Sequence, residues 1–462
     1  MPSLSRQLAN WVAALEYEDL PPDVVDRAKG LTLHGLSSAL IGAGTRPGKE
    51  ALALMQAEED GGGGVATVLV DGAKLTKGGA AFVNSELIYA GGKWDTFRML
   101  THPGCNILPT GLLAAELENA TGQQYITGIV SAYEVMERMA ADFIPTVMAR
   151  GFHAGPVFGI FGAAIAAAKI TGLDAEQIHG AIAQCVNLAA GNLEGGRSGG
   201  RSLREGGAVR NALLAVALAK QGMRGGETIL EGEAGFYTSY AGNNRGKLSY
   251  AFEGPKLTDL DRVGEDLGKR WQFLETLYRI HSVAGFNIAH IDVTAALCRE
   301  NDIKAEDIDR IEAVVNWFET VYPSPQFPAP VSDNQPKPGS THYYAAYAAV
   351  ERGFPLFKQG PAPDDPPAVL ELMQRVTIKP SKHQTLFGPR ITIYTRDGKR
   401  HARKATGREF IWDFDEEVRR IAPIANGIPI SPEQYAELTE ACRHLEALPA
   451  ASDLIRLTIP RK

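Results

Sequence analysis

The chain has 462 residues, of which 44% are hydrophobic and 22% are charged. This balance is typical of a globular protein and excludes intrinsically disordered and collagen-like chains. Lys and Arg number 47 against 54 Asp and Glu, a net charge of -7, and no basic run marks a nucleic-acid-binding face. At roughly 150 residues per domain, the length corresponds to about three domains, or to one large helical domain with a smaller partner.

Helical periodicity dominates the first 260 or so residues. One helix is predicted to open at Pro21-Pro22, with apolar residues from Val24 to Leu40 along one side. Another begins after Asp174, with Gln177 three residues on as in a capping box. Three further helices, GLLAAELENA, FGAAIAAAKI and NALLAVALAK, consist largely of small residues that let helix axes approach closely. These patterns predict a compact helical bundle.

Strand-like patterns appear after about Leu267. The segments RIEAVVNWF, RVTIKP and RITIYT are predicted strands, and Asp397-Gly398 is predicted to form a two-residue hairpin turn. Helical signals return at the end, where Ser431 and Pro432 open a final helix. The predicted fold is therefore mainly α. It comprises a large all-helical domain (1–266), a smaller inserted α+β domain (267–408) and a C-terminal helical segment (409–462) that returns to the first domain.

Cysteine usage and hydropathy indicate the compartment. The four cysteines lie far apart and form no C-x-x-C pair, so we expect neither a zinc ribbon nor an iron–sulfur cluster. The N-terminal segment lacks the basic start and apolar core of a signal peptide. The longest apolar stretch, Ala154 to Ala168, falls short of the ~20 residues that span a bilayer. We expect a cytoplasmic protein with no membrane or nucleic-acid partner.

Three polar or glycine-rich turns each precede a small-residue helix. They are residues 95–104, 150–156 and 197–207, ahead of helices predicted from around Leu112, Val157 and Ala208. Helix N-termini favour anions because their backbone N–H groups are unpaired and carry positive partial charge. The 49 glycines of the chain, an excess, fall partly in these turns, where they let backbone amides approach a ligand.

The side chains of these turns suit a polycarboxylate. Arg201 and Arg204 can each grip a carboxylate with two parallel hydrogen bonds. His102 and His153 can each move a proton, because the imidazole pKa lies near neutrality. A His of this kind taken alone is more often a turn or capping residue, and the arginine-rich turn can equally be a solvated surface loop.

The sequence lacks the motifs that mark several other kinds of functional site. The nucleophile elbow G-x-S-x-G, the P-loop and a dinucleotide-binding G-x-G-x-x-G after a strand are all missing. His281 and His290, at the start of the second domain, are nine residues apart, and neither belongs to a tight metal-binding spacing. We expect no metal site.

Four segments carry a resemblance to a known family. They are Asn84 through Gly104, TGQQYITGIVSAYEVMERMA, GFHAGPVFGIFGAAIAAAKITGLDAEQ and ALAKQGMRGGETILEGEAGF. In order and spacing they resemble the 2-methylcitrate dehydratase (MmgE/PrpD) family, which includes cis-aconitate decarboxylase and iminodisuccinate epimerase. The resemblance implies a cofactor-independent enzyme, usually a homodimer. It also implies that the α+β domain is a lid and that small di- or tricarboxylates bind between it and the helical domain.

The resemblance assigns roles to four residues. Thr96 and His102 match the family's active-site Thr and first His, and His153 matches its second His. Asp95 falls on the last acid of the family's H-A-L-D-F-D-D stretch.

The same comparison identifies four departures. Gly92 stands where the family keeps an Asp, Arg201 and Arg204 replace a Lys and a His, and His281 replaces a Lys. The two lysine amines, which could donate or accept a proton, have thus become an arginine, which stays charged, and an imidazole.

Residues and resemblance together predict a dehydratase-type lyase that abstracts a proton next to a carboxylate. The predicted catalytic residues are His102, His153 and His281, and the predicted substrate-binding residues are Asp95, Thr96, Arg201 and Arg204. An epimerase or isomerase, a decarboxylase of a related dicarboxylate, and a non-catalytic polycarboxylate-binding relative remain alternatives.

Overall fold

The computed structural model describes residues 2–59, 63–197, 204–242, 260–322, 324, 335–355 and 365–461. The chain divides into two compact units: Met1–Lys247, Thr258–Tyr278 and Ile411–Lys462 form the first, and Leu248–Leu257 and Arg279–Phe410 form the second. Helices predominate and the sheets are small, so the predicted mainly α class is confirmed. The domain boundaries and the lid assigned from the sequence stay predictions.

The first unit is built from helices that pack on one another, with one short β-hairpin, β1 (Ala66–Thr67) and β2 (Lys74–Leu75). Its helices before the second unit are α1 (Leu4–Ala14), α2 (Pro22–Gly44), α3 (Arg46–Glu59), α4 (Lys77–Gly91), α5 (Gly104–Glu118), α6 (Gly122–Ala140), α7 (Ile144–Ala149), α8 (Ala154–Ile170), α9 (Ala175–Leu188), α10 (Glu194–Arg197), α11 (Arg204–Lys220), α12 (Phe236–Ala241) and α13 (Asp261–Gly264).

Local sequence signals set several helix starts. Pro22 is the first residue of α2, a position where the missing N–H of proline costs nothing. At α9, the Asp174 side chain accepts from the Gln177 N–H and the Gln177 side chain accepts in return, which confirms the predicted capping box. Every described residue of α8 except Lys169 is buried, as its Ala- and Gly-rich sequence predicts.

Three helices start earlier than the sequence predicted. Helices α5, α8 and α11 begin at Gly104, Ala154 and Arg204, rather than around Leu112, Val157 and Ala208. The polar turns therefore supply the first helical turns themselves. As a result, Arg204 belongs to a helix rather than to the loop in which it was placed.

The second unit contains a four-stranded sheet of order β4-β3-β5-β6, in which β3 pairs parallel to β4 and the other pairs are antiparallel. Its elements are α14 (Asn287–Glu300), β3 (Ile308–Asn316), α15 (Thr341–Val350), α16 (Pro367–Met373), β4 (Val376–Ser381), β5 (Arg390–Thr395) and β6 (Arg400–Lys404). The predicted hairpin turn joins β5 to β6. There Gly398 has φ +85°, a backbone conformation that glycine adopts without strain.

The C-terminal segment forms α17 (Phe414–Ile421), α18 (Pro432–Arg443) and α19 (Asp453–Thr458) within the first unit. Helices α17 and α18 pack on α2. A buried pair links α2 to α17: Nδ1 of His34 lies 2.6 Å from Oε1 of Glu417, and Trp412 Nε1 donates to Oε2 of the same carboxyl at 2.9 Å. Glu417 is fully buried and therefore depends on these two donors.

Within the described ranges, no helix is both long and apolar enough to cross a membrane. The four cysteines, Cys105, Cys185, Cys298 and Cys442, are all free thiols and all buried.

Replacing Glu417 by Ala is expected to lower the free energy of unfolding by about 3 to 5 kcal/mol, because His34 and Trp412 lose a buried partner. Glu416→Ala, which removes partly exposed pairs with Arg419 and Arg420 on the same helix, is the matched control and should cost less than about 1 kcal/mol. Urea unfolding followed by helical circular dichroism measures both. Equal losses would contradict the role of the buried pair.

Candidate active site

Asp95 is buried and ties the segment that precedes α5 to two helices. Both of its carboxyl oxygens accept from the Gly104 N–H, each at 2.9 Å, at the N-terminus of α5. The Tyr133 hydroxyl of α6 donates to Oδ2 at 2.5 Å. Burial raises the pKa of Asp95 to about 6, although the bonds from Tyr133 and Gly104 act in the opposite direction.

Glycine is required at position 104 because of this close packing. A Cβ there would lie 2.7 Å from Oδ2 of Asp95 and 2.8 Å from the Tyr133 hydroxyl. Neither partner is at the end of a flexible exposed side chain, so a larger residue would displace the hydrogen bonds. This glycine therefore allows close approach to a carboxyl of the protein itself, whereas the approach of glycine-rich turns to a ligand stays a prediction.

The segment between Asp95 and α5 is a tight, strained loop. Thr96 exchanges backbone hydrogen bonds with Leu277 at 2.9 and 2.8 Å, which anchors one end. Arg98 and Leu100 have φ values of +51° and +67°, in the left-handed region that costs a non-glycine residue roughly 1 kcal/mol or more. Such strain persists only where the surroundings determine the conformation.

His102 lies at the end of this loop and is held by it. Its Nδ1 lies 3.0 Å from the Asp95 carbonyl oxygen and 3.4 Å from Thr96 Oγ1. Because a carbonyl can only accept, this contact assigns the proton to Nδ1 and the lone pair to Nε2. The imidazole is thus oriented for proton transfer at Nε2.

His153 is the N-cap residue of α8 and is buried. Its Nδ1 lies 3.2 Å from the Gly155 N–H nitrogen, and its Nε2 lies 3.0 Å from Nη2 of Arg204. Both ring nitrogens therefore face donors, although a neutral imidazole has one lone pair to offer and a protonated imidazole has none. Burial and, next, the Arg204 charge hold the pKa of His153 well below its usual range, so the ring stays neutral.

Arg204 joins His153 to Tyr89 of α4. Its Nη2 donates to the Tyr89 hydroxyl at 3.0 Å as well as facing His153, and its Nε donates to Oε1 of Glu205 at 3.3 Å. Glu205 is buried and also accepts from Asn106 Nδ2 at 3.2 Å. Burial raises the pKa of Glu205, so this carboxyl holds its proton more tightly than an exposed one.

Aromatic rings line the same region. Tyr89 and Trp94 stack with centroids 4.5 Å apart, and the Trp94 ring lies 4.7 Å from that of His102. The Trp94 indole N–H donates to the Tyr89 carbonyl at 2.5 Å, which fixes the stack. Tyr89 also contacts Arg204, and its ring lies 6.5 Å from that of His102, so Arg204, His153 and His102 belong to one polar site.

The structure places five of the predicted residues in this site: Asp95, Thr96, His102, His153 and Arg204. Arg201 lies outside the described residues. His281 belongs to the second unit, where it is buried and its Nε2 lies 3.1 Å from Oδ1 of Asp292. Gly92 ends α4 with φ +72°, a C-cap conformation that explains a glycine at this position.

Sequence reasoning missed Tyr133, Glu205 and Tyr89. Tyr133 lies in α6 among the polar residues Glu134, Glu137 and Arg138, all buried; a polar stripe on an otherwise apolar helix was the available signal. Glu205 directly follows Arg204 and was interpreted as part of a loop. Nothing in the local sequence around Tyr89 indicates its contact with α11.

Comparison with known proteins confirms the family to which the sequence bears a resemblance. A family model described as the MmgE/PrpD N-terminal domain matches residues 6–249, more than half of the chain. The matched segment contains α4, α5, α8 and the start of α11, which carry the site.

Curated relatives match over part of their length. The chain is 26% identical to the cis-aconitate decarboxylase-like protein oryM of Aspergillus oryzae, over 61% of this chain and 59% of that protein. It is also 26% identical to the cis-aconitate decarboxylase of Aspergillus terreus, over 61% and 57%, and to that of Homo sapiens, over 52% and 50%. The match thus covers less than two thirds of each relative.

Asp95→Asn is expected to flatten the pH dependence of stability. The pKa of Asp95 is about 6 when folded and 3.8 ordinarily, so between these values the folded chain holds a proton that the unfolded chain releases. This contribution, roughly 3 kcal/mol at most, is present at low pH and lost as pH rises through about 6.

Urea midpoints of the wild-type protein and of Asp95→Asn between about pH 4 and 7 test this expectation. The difference between the two proteins should change with pH in that direction. A constant difference across the range would mean that Asp95 does not titrate there.

Proposed function

Because the chain belongs to the MmgE/PrpD family, we propose that it is a lyase that removes water from a small di- or tricarboxylate by abstracting a proton next to a carboxylate. The observation that carries the proposal is the contact between Nε2 of His153 and the Arg204 guanidinium. It places a group that binds a carboxylate beside a base that stays neutral.

Arg204 is proposed to bind a substrate carboxylate. An arriving carboxylate is a stronger acceptor for a guanidinium than an imidazole nitrogen, because charge-assisted hydrogen bonds are the stronger ones. Its binding would draw Arg204 away from His153 and leave the Nε2 lone pair to take the proton from the neighbouring carbon. The positive charge of Arg204 then stabilises the enolate-like charge that develops.

His102 is proposed as the acid that protonates the leaving hydroxyl. Its Nδ1 proton is held by the Asp95 carbonyl, so the ring acts as an acid only in its doubly protonated form, in which Nε2 carries the proton that goes to the hydroxyl. Asp95 acts through the backbone of the loop and is proposed to position His102 rather than to react. His281, oriented by Asp292, remains a proposed third proton carrier.

Decarboxylation is the second candidate reaction. The curated relatives described above are named cis-aconitate decarboxylases or are called similar to one, which favours this reaction for a tricarboxylate. The same residues would serve it: Arg204 would bind a retained carboxylate, and an imidazole would protonate the carbon from which carbon dioxide leaves.

Incubation in D₂O with citrate, 2-methylcitrate, cis-aconitate and aspartate-derived diacids tests the proposal. Alkene absorbance without carbon dioxide indicates a dehydratase, and carbon dioxide release indicates a decarboxylase. Deuterium uptake without net conversion indicates an epimerase. If no compound reacts while binding raises the melting temperature, the chain is a polycarboxylate-binding protein and the proposal fails.

His153→Gln is expected to lower the turnover rate about 10²- to 10⁴-fold with the reactive compound, because the proposed base is lost. His383→Gln, which changes an exposed histidine of the second unit, is the matched control and should leave turnover unchanged. Full activity of the His153 variant would remove His153 from the mechanism.

In the pH profile of kcat/KM, the fall on the acidic side (the acid limb) is expected at a pH below the usual pKa range of histidine. His153 must be neutral to act as a base, and its pKa lies well below 6.5. Arg204→Gln removes a charge that lowers this pKa, so the limb should move to higher pH while KM rises. An unchanged limb in that variant would argue that His153 is not the titrating base.

A further inference from the structure

A polar cavity lies within the first unit, and none of the five residues assembled in the candidate active site lines it. Its volume is about 160 Å³, enough for several water molecules or one small ligand. The lining includes four arginines and two carboxylates, which leaves a formal excess of positive charge: Arg98, Arg138, Arg262, Arg270, Asp142 and Glu275.

Arg138 builds one wall of this arginine cavity. Its Nε donates to Glu134, the residue one turn earlier in α6. Its Nη1 donates to the carbonyls of Val263 and Glu265, and its Nη2 to those of Asp266 and Arg270. All five N–H groups of Arg138 are thus used, and they fix the segment from residue 263 to 270 against α6.

The side-chain amide of Gln272 has an N–H group without a hydrogen-bond acceptor among the described residues. Nη1 of Arg270 lies 3.2 Å from its Oε1, and since arginine can only donate, this contact assigns which end of the amide is oxygen. The opposite end, Nε2, is buried and has no hydrogen-bond partner among the described residues, and the side chain is only 4% exposed. A buried amide N–H of this kind requires an acceptor.

The charges of the lining favour an anionic acceptor. Arg98 pairs with Glu275 at 2.7 Å, and Arg262 lies 3.5 Å from Asp142. Arg270 differs, because in the described part of the chain no carboxylate oxygen lies within 4 Å of its guanidinium. Arg270 and Gln272 therefore offer a positive charge and a buried N–H side by side.

We propose that the arginine cavity binds a small oxyanion, a carboxylate or a phosphate, whose oxygens accept from Gln272 Nε2 and from the Arg270 guanidinium. Arg262, exposed at the rim, would attract the anion. The cavity also shares Arg98 with the strained loop that carries Thr96 and His102. The proposal does not depend on which reaction the chain catalyses.

Calorimetric titration of the full chain tests the proposal with two probes, inorganic phosphate and tricarballylate, a tricarboxylate with neither hydroxyl nor double bond. Tighter binding of phosphate would identify the anion as a phosphate, and tighter binding of tricarballylate as a carboxylate. We expect at least one of the two to bind. If neither binds at millimolar concentration, the proposal is wrong.

Arg270→Gln is expected to weaken that binding about tenfold or more, because it removes a charge-assisted hydrogen bond. Lys269→Gln, the same charge change at the adjacent exposed residue, should leave it unchanged. Gln272→Leu should weaken binding without any change of charge. Unfolding temperatures check that each variant is folded.

Arg204→Gln separates the arginine cavity from the candidate active site. Binding of the probe should survive this change if the anion occupies the cavity. Loss of binding in Arg204→Gln together with full binding in Arg270→Gln would place the anion in the active site and overturn the proposal.

Discussion

The buried carboxyl of Asp95 is the interaction on which the candidate site depends. It holds the first N–H of α5 and the Tyr133 hydroxyl of α6, so two helices and one loop meet at a single group. Through its own carbonyl the same residue orients His102. Burial makes the carboxyl costly to ionise, and its three hydrogen bonds compensate for part of that cost. The conformation of the loop thus depends on Asp95, a residue that does not need to contact a substrate.

Much of the fold was predictable because its signals are local. The start of α2 at Pro22, the capping box of Asp174 and Gln177, and the hairpin at Gly398 each depend on residues within a few positions of one another. The starts of α5, α8 and α11 were predicted too far along the chain because the contacts that set them are not local. Their first turns consist of polar and glycine residues, which intrinsic preference assigns to loops but which tertiary contacts hold in helices.

The site was predictable only in part. That His102, His153 and Arg204 lie in one region could be expected because each adjoins a small-residue helix, and a helix N-terminus has a recognisable sequence. Tyr133 and Glu205 were not found, since their importance lies in contacts with residues 38 and 99 positions away in the chain. The depressed pKa of His153 follows from burial and from the proximity of Arg204, which no spacing in the sequence reveals.

The positive φ values of Arg98 and Leu100 have a consequence for how the thermal stability of this protein can be raised. Each is a place where Gly or Asn would relieve backbone strain, so selection for heat resistance should find such replacements there readily. Those replacements would also loosen the loop that orients His102. Thermal stability and the proposed proton transfer at His102 are therefore opposed at these two positions, and stabilising changes that spare the loop must be sought elsewhere in the helical unit.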